Sequence, residues 1–294
     1  MDGIVLIDKL QGITSNYLVQ KIKKHIKKTF NENIKVGHTG TLDFFATGLM
    51  ILTLGKATKL TQYFQGLDKE YIAVGELGRI TDTYDVNGKV IEERKCNIEE
   101  EKLTQIIKSF EKTYLQYPPP YSAKRIEGKR AYQLAKEGIT PQLKPKEVSI
   151  YKVEILDINL PFFKIKVHCS SGTYIRSLIK EIGDEAGCGA YTKELRRTKI
   201  NGFSVENALP LEKFLKLEKE EIEKVVIPVE KSLPFLPKII LDEGFDFRFI
   251  NGQRFKVNFV ETTGITAVFS NTGKFLGIGK VDENKILHPE TVFR

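Results

Sequence analysis

The stretch "FKIKVHCSSGTYIRSLIKEIGDEAG", residues 163–187, changes its hydrophobic period halfway along, which calls for a strand feeding directly into a helix. Phe163, Ile165 and Val167 alternate with Lys164, Lys166 and His168, so one face of the strand is buried and the other wetted. A Ser-Ser-Gly turn follows, and the helical period then begins with Tyr174 and Arg176 at its start. A pair of side chains at a strand-to-helix turn is a frequent position for site chemistry. His168 and Cys169 are neighbours in the strand and therefore point to opposite faces.

The same reading extends along the chain. "IVLI", residues 4–7, is a short buried strand. The following helix has Ser15 as its expected N-cap and Leu18, Val19, Ile22, Ile26 and Phe30 at helical spacing. Its other face carries Lys21, Lys23, Lys24, Lys27 and Lys28, which suits either plain solvation or nucleic-acid contact. "YIAVGELG" alternates as a strand, and "TDTYDVNGKVIEE" reads as a connection and hairpin turning at Asn87-Gly88. Its spacing imitates a calcium loop, but Thr83 and Arg94 occupy the first and last ligand positions, so that reading fails. Asn97 is expected to cap an amphipathic helix, with Glu100 completing a capping box ahead of Leu103, Ile106, Ile107 and Phe110. In "YPPPYSAKRIEGKRAYQLAKEG" three prolines force an extended segment, after which Lys124, Arg125, Lys129 and Arg130 interleave with Tyr121 and Tyr132. That pattern suits an RNA backbone with stacked bases, and taken alone it equally suits a proline-ordered surface loop. A charge-flecked stretch near residues 218–238 reads as a boundary, giving domains 1–232 and 233–294, the second with a hairpin at "TAVFSNTGKFLGIGKV".

One segment has no period. "KVGHTGTLDFFATGLM", residues 35–50, surrounds a single carboxylate, Asp43, with small, hydroxyl-bearing and apolar residues. Gly37, Gly40 and Gly48 allow left-handed backbone and close approach of a ligand. Alone, such a loop is also an ordinary solvated turn.

Composition removes several function classes. The net charge of +8 places +7 on residues 1–232, because residues 233–294 hold 8 basic against 7 acidic groups. A polyanion partner fits this surplus, as does a basic thermostable enzyme. The longest apolar runs are too short to span a bilayer, and "MDGIVLIDK" carries an acid where a signal peptide needs basic residues, so a cytoplasmic protein is expected. Cys96, Cys169 and Cys188 form no CxxC pair, and neither a zinc site nor a disulfide is expected there. "GIGKVD" and "LGKAT" lack the glycines and hydroxyl of dinucleotide and phosphate loops, which excludes a phosphate-loop GTPase.

Five stretches in order, "GIVLIDKLQGITS", "GHTGTLDFFATGLM", "KEYIAVGELGRITDTYD", "YPPPYSAKRIEGKRAYQLAKEG" and "CSSGTYIRSLIKEIG…LRRTKINGF", resemble the TruB family of bacterial tRNA pseudouridine-55 synthases. The resemblance covers most of residues 3–203, and residues 233–294 look like a shortened PUA domain. It implies an α+β pseudouridine-synthase fold, with a mixed, largely antiparallel sheet flanked by helices and a small β-barrel PUA-like C-terminal domain. The implied activity isomerises the T-loop uridine of tRNA after flipping it out, as a monomer, with no cofactor, metal or guide RNA. By the same resemblance Asp43 is the catalytic aspartate, Arg176 its cationic partner and Tyr71 a stacking residue that also handles a proton. His38 fills the space the base vacates, Tyr174 and Leu195 line the uracil pocket, and Lys124 and Lys129 contact RNA. An enclosed carboxylate needs a permanent neighbouring cation to stay ionised, and guanidinium is one. The chain departs from the family where prolines usually follow the catalytic aspartate and the early Asp-Lys, having Phe44 and Leu10 instead, which loosens both loops. The resemblance leaves open whether attack falls on the sugar or the base. Two rivals remain: a guide-RNA-dependent synthase of archaeal and eukaryotic type, against which the "YSAKRIEGKRAY" stretch speaks, and a non-catalytic RNA-binding relative, which would be expected to have lost Asp43 or Arg176.

Overall fold

The computed structural model describes residues 1–121, 125–126, 129–130 and 143–293. Among them one large mixed sheet runs in the order Leu209–Pro210, β1 (Gly3–Lys9), β3 (Thr47–Leu54), β8 (Ala190–Ile200), β4 (Lys69–Leu77), β7 (Phe162–Cys169), β6 (Lys146–Asn159), β5 (Thr113–Gln116), with β2 (Val36–His38) paired to β3. Its ladders are antiparallel except β1 with Leu209–Pro210 and β3 with β8.

Strand periodicity decides what covers each face. Val5 and Ile7 of β1, Ala73 of β4 and Ile165 and Val167 of β7 share one buried cluster with three helices. These are α1 (Ser15–Phe30), α2 (Glu100–Ser109) and α3 (Ile175–Glu185), which contribute Leu18, Ile22, Leu103, Ile107, Leu178 and Ile182. The alternate residues Ile4, Leu6, Leu49 and Ile51 face the other way and pack with Val229, Leu233, Ala267, Phe269 and Phe275. That second layer belongs largely to a curled five-stranded sheet, Lys238–Leu241, Gly264–Ser270, Phe275–Val281, Ile286–Val292 and Phe255–Lys256, with its own core around Phe249 and Leu287. The expected hairpin at residues 264–281 is present. The fold is the α+β arrangement expected, with a PUA-like half-barrel in place of a closed barrel.

Several local expectations are corrected. Thr14, not Ser15, caps α1, its Oγ1 accepting from the Tyr17 amide at 3.0 Å. Ser15 instead accepts from the Leu42 amide (2.9 Å) and donates to the Leu42 carbonyl (3.0 Å), tying the helix to the aperiodic loop. Helix α2 starts after Glu99 with no side-chain cap, so the Asn97–Glu100 box does not form. The hairpin pairs Arg79–Thr81 with Val90–Glu93 around an eight-residue loop, 82–89, rather than a two-residue Asn87-Gly88 turn. Asp85 builds that loop, accepting from the Asn87 amide at 2.9 Å and the Thr83 hydroxyl at 2.8 Å. Of Gly37, Gly40 and Gly48, only Gly48 has a left-handed φ, +109°.

The expectation of unpaired cysteines also fails. Cys96 and Cys188 form a disulfide across 92 residues, with Cα atoms 5.0 Å apart. Hydrogen bonds from the Gly78 amide to the Gly189 carbonyl (3.1 Å) and from the Arg94 amide to the Gly78 carbonyl (2.9 Å) lay the segment that follows Val90–Glu93 against the turn before β8. Cys169 is free and buried, and burial pushes its thiol up to about 12.

Candidate active site

The aperiodic loop and the start of α3 meet at one end of the sheet, on its helix-covered face. They enclose a cleft of about 280 Å³ lined by Thr39–Asp43, Lys69, Tyr71, Tyr174, Arg176, Leu195 and Arg197. A wider cleft of about 450 Å³ lies on the opposite face, where Glu70 is already neutralised by Lys166 and Lys199 at 3.5 and 3.7 Å. We assign the chemistry to the smaller cleft, because only it contains a carboxylate held by a buried cation.

That cation is Arg176, only 4% exposed. Its Nη2 donates to Asp43 Oδ1 at 3.1 Å, and its Nε lies 2.8 Å from Oδ2 but off the hydrogen-bond direction. Nη1 donates to the Thr83 carbonyl (2.8 Å) and to Asp85 Oδ2 (3.2 Å), and Nη2 also reaches the Tyr121 carbonyl (3.0 Å). The guanidinium therefore bridges two carboxylates of unequal environment. Asp43 is 37% exposed and opens to the cleft, whereas Asp85 is 8% exposed. Burial raises the Asp85 carboxyl above its ordinary value, and the Arg176 charge opposes that rise. An Arg with two acids is geometrically fixed by the inner one and presents its remaining edge to the outer one.

Tyr71, on β4, sits where the Val167 and Arg197 rungs flank it. Burial pushes its phenol up, opposed by Arg197, so at neutral pH it is un-ionised. Leu195 of β8 pairs with Ala73 and supplies an apolar wall. Tyr174, the residue before α3, has its amide bound to Gln116 Oε1 at 2.8 Å. Gln116 is in turn fixed through the Tyr114 hydroxyl (2.9 Å) to Glu181 (2.7 Å). His38 ends β2 opposite Leu52, next to the cleft-lining Thr39 but outside the lining itself. Lys124 lies outside the described residues, and of Lys129 only the backbone, paired with Ile126, is described.

Three side chains that shape the site were not singled out from sequence. Asp85 sits in the loop whose acids imitate a calcium site. Lys9 is fully buried and donates to the Ala46 (2.6 Å) and Leu10 (3.0 Å) carbonyls, and burial pushes its ammonium down to about 8, with Asp43 opposing. Arg197, also buried, donates through Nε to the Leu49 carbonyl (2.7 Å) and through Nη2 to the Gly40 carbonyl (3.3 Å). Together they brace the loop on both sides of Asp43. Gly48 completes the brace, since a Cβ there would lie 2.2 Å from the Arg197 carbonyl oxygen. No group of three or more His, Cys, Asp or Glu among the described residues could hold a metal ion. None of the described helices is long and apolar enough to cross a membrane.

The chain resembles known proteins along nearly its whole length. The family profile "TruB family pseudouridylate synthase (N terminal domain)" matches residues 27–175. "tRNA pseudouridylate synthase B C-terminal domain" matches 176–234 and "Pseudouridine synthase II TruB, C-terminal" matches 237–293. The chain is 40% identical to tRNA pseudouridine synthase B of Aquifex aeolicus over 293 residues, 99% of each chain. It is 41% identical to the Clostridium tetani protein of the same name over 285 residues, 95% of this chain and 96% of that one. Among solved structures it is similar to a chain of a Cbf5-Nop10-Gar1 complex, with a TM-score of 0.75 and 26% identity, covering 99% of this chain and 85% of that one. An H/ACA RNP bound to a substrate RNA containing 2′-deoxyuridine has a similar chain, with a TM-score of 0.73, 24% identity and the same coverage.

Proposed function

Since the chain belongs to the TruB family of pseudouridylate synthases, we propose that it converts the T-loop uridine of tRNA, position 55, to pseudouridine, with Asp43 as nucleophile and without a guide RNA. As a tRNA pseudouridine synthase it breaks the N1–C1′ glycosidic bond, turns the base and joins C5 to C1′. The C5 proton is lost and N1 takes one up, so no electrons or atoms are gained and no cofactor is required.

The observation that carries this reading is the Asp43–Arg176–Asp85 bridge at the mouth of the cleft. A covalent carboxylate nucleophile must remain ionised as the entering nucleotide strips water from it. Arg176 supplies a charge that cannot be lost, and Asp85 stops the guanidinium from following Asp43 into a closed pair. Tyr71, a neutral phenol lining the same cleft as the carboxylate, stacks on the uracil and passes it a proton. Tyr174 and Leu195 form the walls, and a nucleotide must leave its stack to enter. His38, one residue from the lining, fills the vacated space. Lys124 and Lys129 contact the RNA backbone.

Near-complete coverage of bacterial relatives named tRNA pseudouridine synthase B, a name that specifies tRNA and no guide, supports independence from guide RNA. We further propose a cytoplasmic monomer divided near residue 232. The test is incubation of the purified protein with unmodified tRNA transcript, chelator present and no other RNA, followed by mapping. One pseudouridine in the T loop is the expected product. Product only on adding a guide, or at another arm, overturns the proposal.

A further inference from the structure

Outside the cleft, the protein leaves apolar groups in solvent beside Asp43. Phe44, the next residue, is 52% exposed, and Leu10 is 44% exposed. Their loops are joined by a hydrogen bond from the Gly12 amide to the Phe44 carbonyl at 2.9 Å, so they form one apolar lip. The rest of the hydrophobic inventory shows that the fold can bury such rings: Phe45, immediately after, is 3% exposed.

From this lip runs α1, pinned to Leu42 by Ser15. Tyr17, Lys21, Lys24 and Lys28 fall at i, i+4, i+7 and i+11, a straight row along the side opposite the buried Leu18, Ile22 and Ile26. Tyr17 is 46% exposed, with Lys21 Nζ 5.1 Å from its ring centroid. The helix contains no acid, and among the described residues no carboxylate pairs with these lysines. Like charges three and four apart weaken a helix, so the row opposes stability. A cationic row with an exposed ring at its head is complementary to a single RNA strand, whose phosphates the lysines meet and whose bases the rings stack.

We propose that the lip and the row are one RNA track, in which Phe44 stacks on the base next to the flipped uridine and Lys21, Lys24 and Lys28 hold phosphates of the same strand of the tRNA T arm. The assignment rests on the tRNA substrate argued above. It gives the ring at position 44 a task that the family's usual proline could not perform.

The test measures the dissociation constant and its salt dependence for an isolated T stem-loop RNA and for full-length tRNA. Phe44→Ala should weaken both by about fivefold or more, the loss of one stacked base. Phe44→Tyr should restore binding and Phe44→Leu should not, because a ring and not mere apolar bulk is required. Replacing Lys21, Lys24 and Lys28 together by Gln should lower the slope of log K against log salt by about 2, three contacts at about 0.7 each on a single strand. Unchanged affinity and slope, rescue by Leu, or an effect confined to full-length tRNA overturns the track. Wild-type conversion scored in the same samples separates the two ideas: no product overturns the tRNA reading, whereas normal product with unaltered variant binding overturns the track alone.

Discussion

Asp85 offers the sharpest separation of stability from chemistry, through Asp85→Asn. At 3.2 Å from Arg176 Nη1, its carboxylate gains about 5 kcal/mol of attraction at an effective dielectric of 20. Burial nevertheless wins, because the carboxyl is raised above its ordinary value. The folded chain therefore holds this proton more tightly than the unfolded chain does. The associated stability is present at low pH and is lost as pH rises through the raised value, so at neutral pH the ionised group is kept at a net cost. The amide preserves the acceptor for Thr83 and the Asn87 amide, and Arg176 keeps Asp43 and the Thr83 and Tyr121 carbonyls. Stability should then change by less than about 2 kcal/mol, far short of the 3–5 kcal/mol of a stripped buried pair. The guanidinium, however, loses its inner anchor. A displacement of about 1 Å at a reacting group costs on the order of 10²-fold in rate. Urea denaturation and single-turnover isomerisation at saturating tRNA read the two effects. A rate within about threefold of wild type, or a collapse in stability with the rate per folded molecule intact, refutes the positioning argument.

Other consequences follow from the braces around the loop. Gly48→Ala should destabilise the fold by about 3 kcal/mol or more in thermal unfolding, since φ is +109° and the Cβ meets a backbone oxygen at 2.2 Å. Because burial pushes Lys9 down to about 8 from 10.5, the unfolded chain takes up this proton first as pH falls. Wild-type stability should thus rise between pH 8 and 10.5. Because burial pushes Lys69 down to about 8 as well, the Lys9→Met urea midpoint should rise less steeply there, though not become flat, while turnover falls with the loss of the Ala46 and Leu10 anchors. Reduction of Cys96–Cys188 should lower stability by about 4–5 kcal/mol for a loop closed across 92 residues, and Cys96→Ser should match the reduced wild type under either redox condition.

The strands and helices were legible wherever one face is apolar, as in β7, α1 and the 264–281 hairpin, because period alone reports burial there. The helix starts were not, since capping is contested among neighbours: Ser15 is a good cap on paper but is drawn away by Leu42. Asp43, Tyr71, Tyr174, Arg176 and Leu195 converge on one cleft although they span residues 43–195, a convergence that no local pattern encodes and that only the resemblance signalled. Asp85, Lys9 and Arg197 stayed hidden because they act by supporting backbone and charge across the sheet. Single-sequence reasoning sees a lysine or an acid and assigns it to solvent. The disulfide was missed for a related reason, since a compartment argument says nothing of two cysteines 92 residues apart that the 79–93 hairpin brings together.

The central claim, that Asp43 is a nucleophile and not a structural acid, is tested most directly by Asp43→Asn in single-turnover isomerisation beside filter binding of tRNA. The amide is nearly isosteric and still accepts from Arg176, so the loop should fold as before. Pseudouridine formation at saturating tRNA should fall by at least about 10⁴-fold, as expected when a covalent nucleophile is removed, while the dissociation constant stays within about threefold because affinity comes mainly from phosphate and stacking contacts. Substantial turnover by Asp43→Asn, or loss of binding in step with loss of turnover, would contradict the assignment and leave the loop a structural turn.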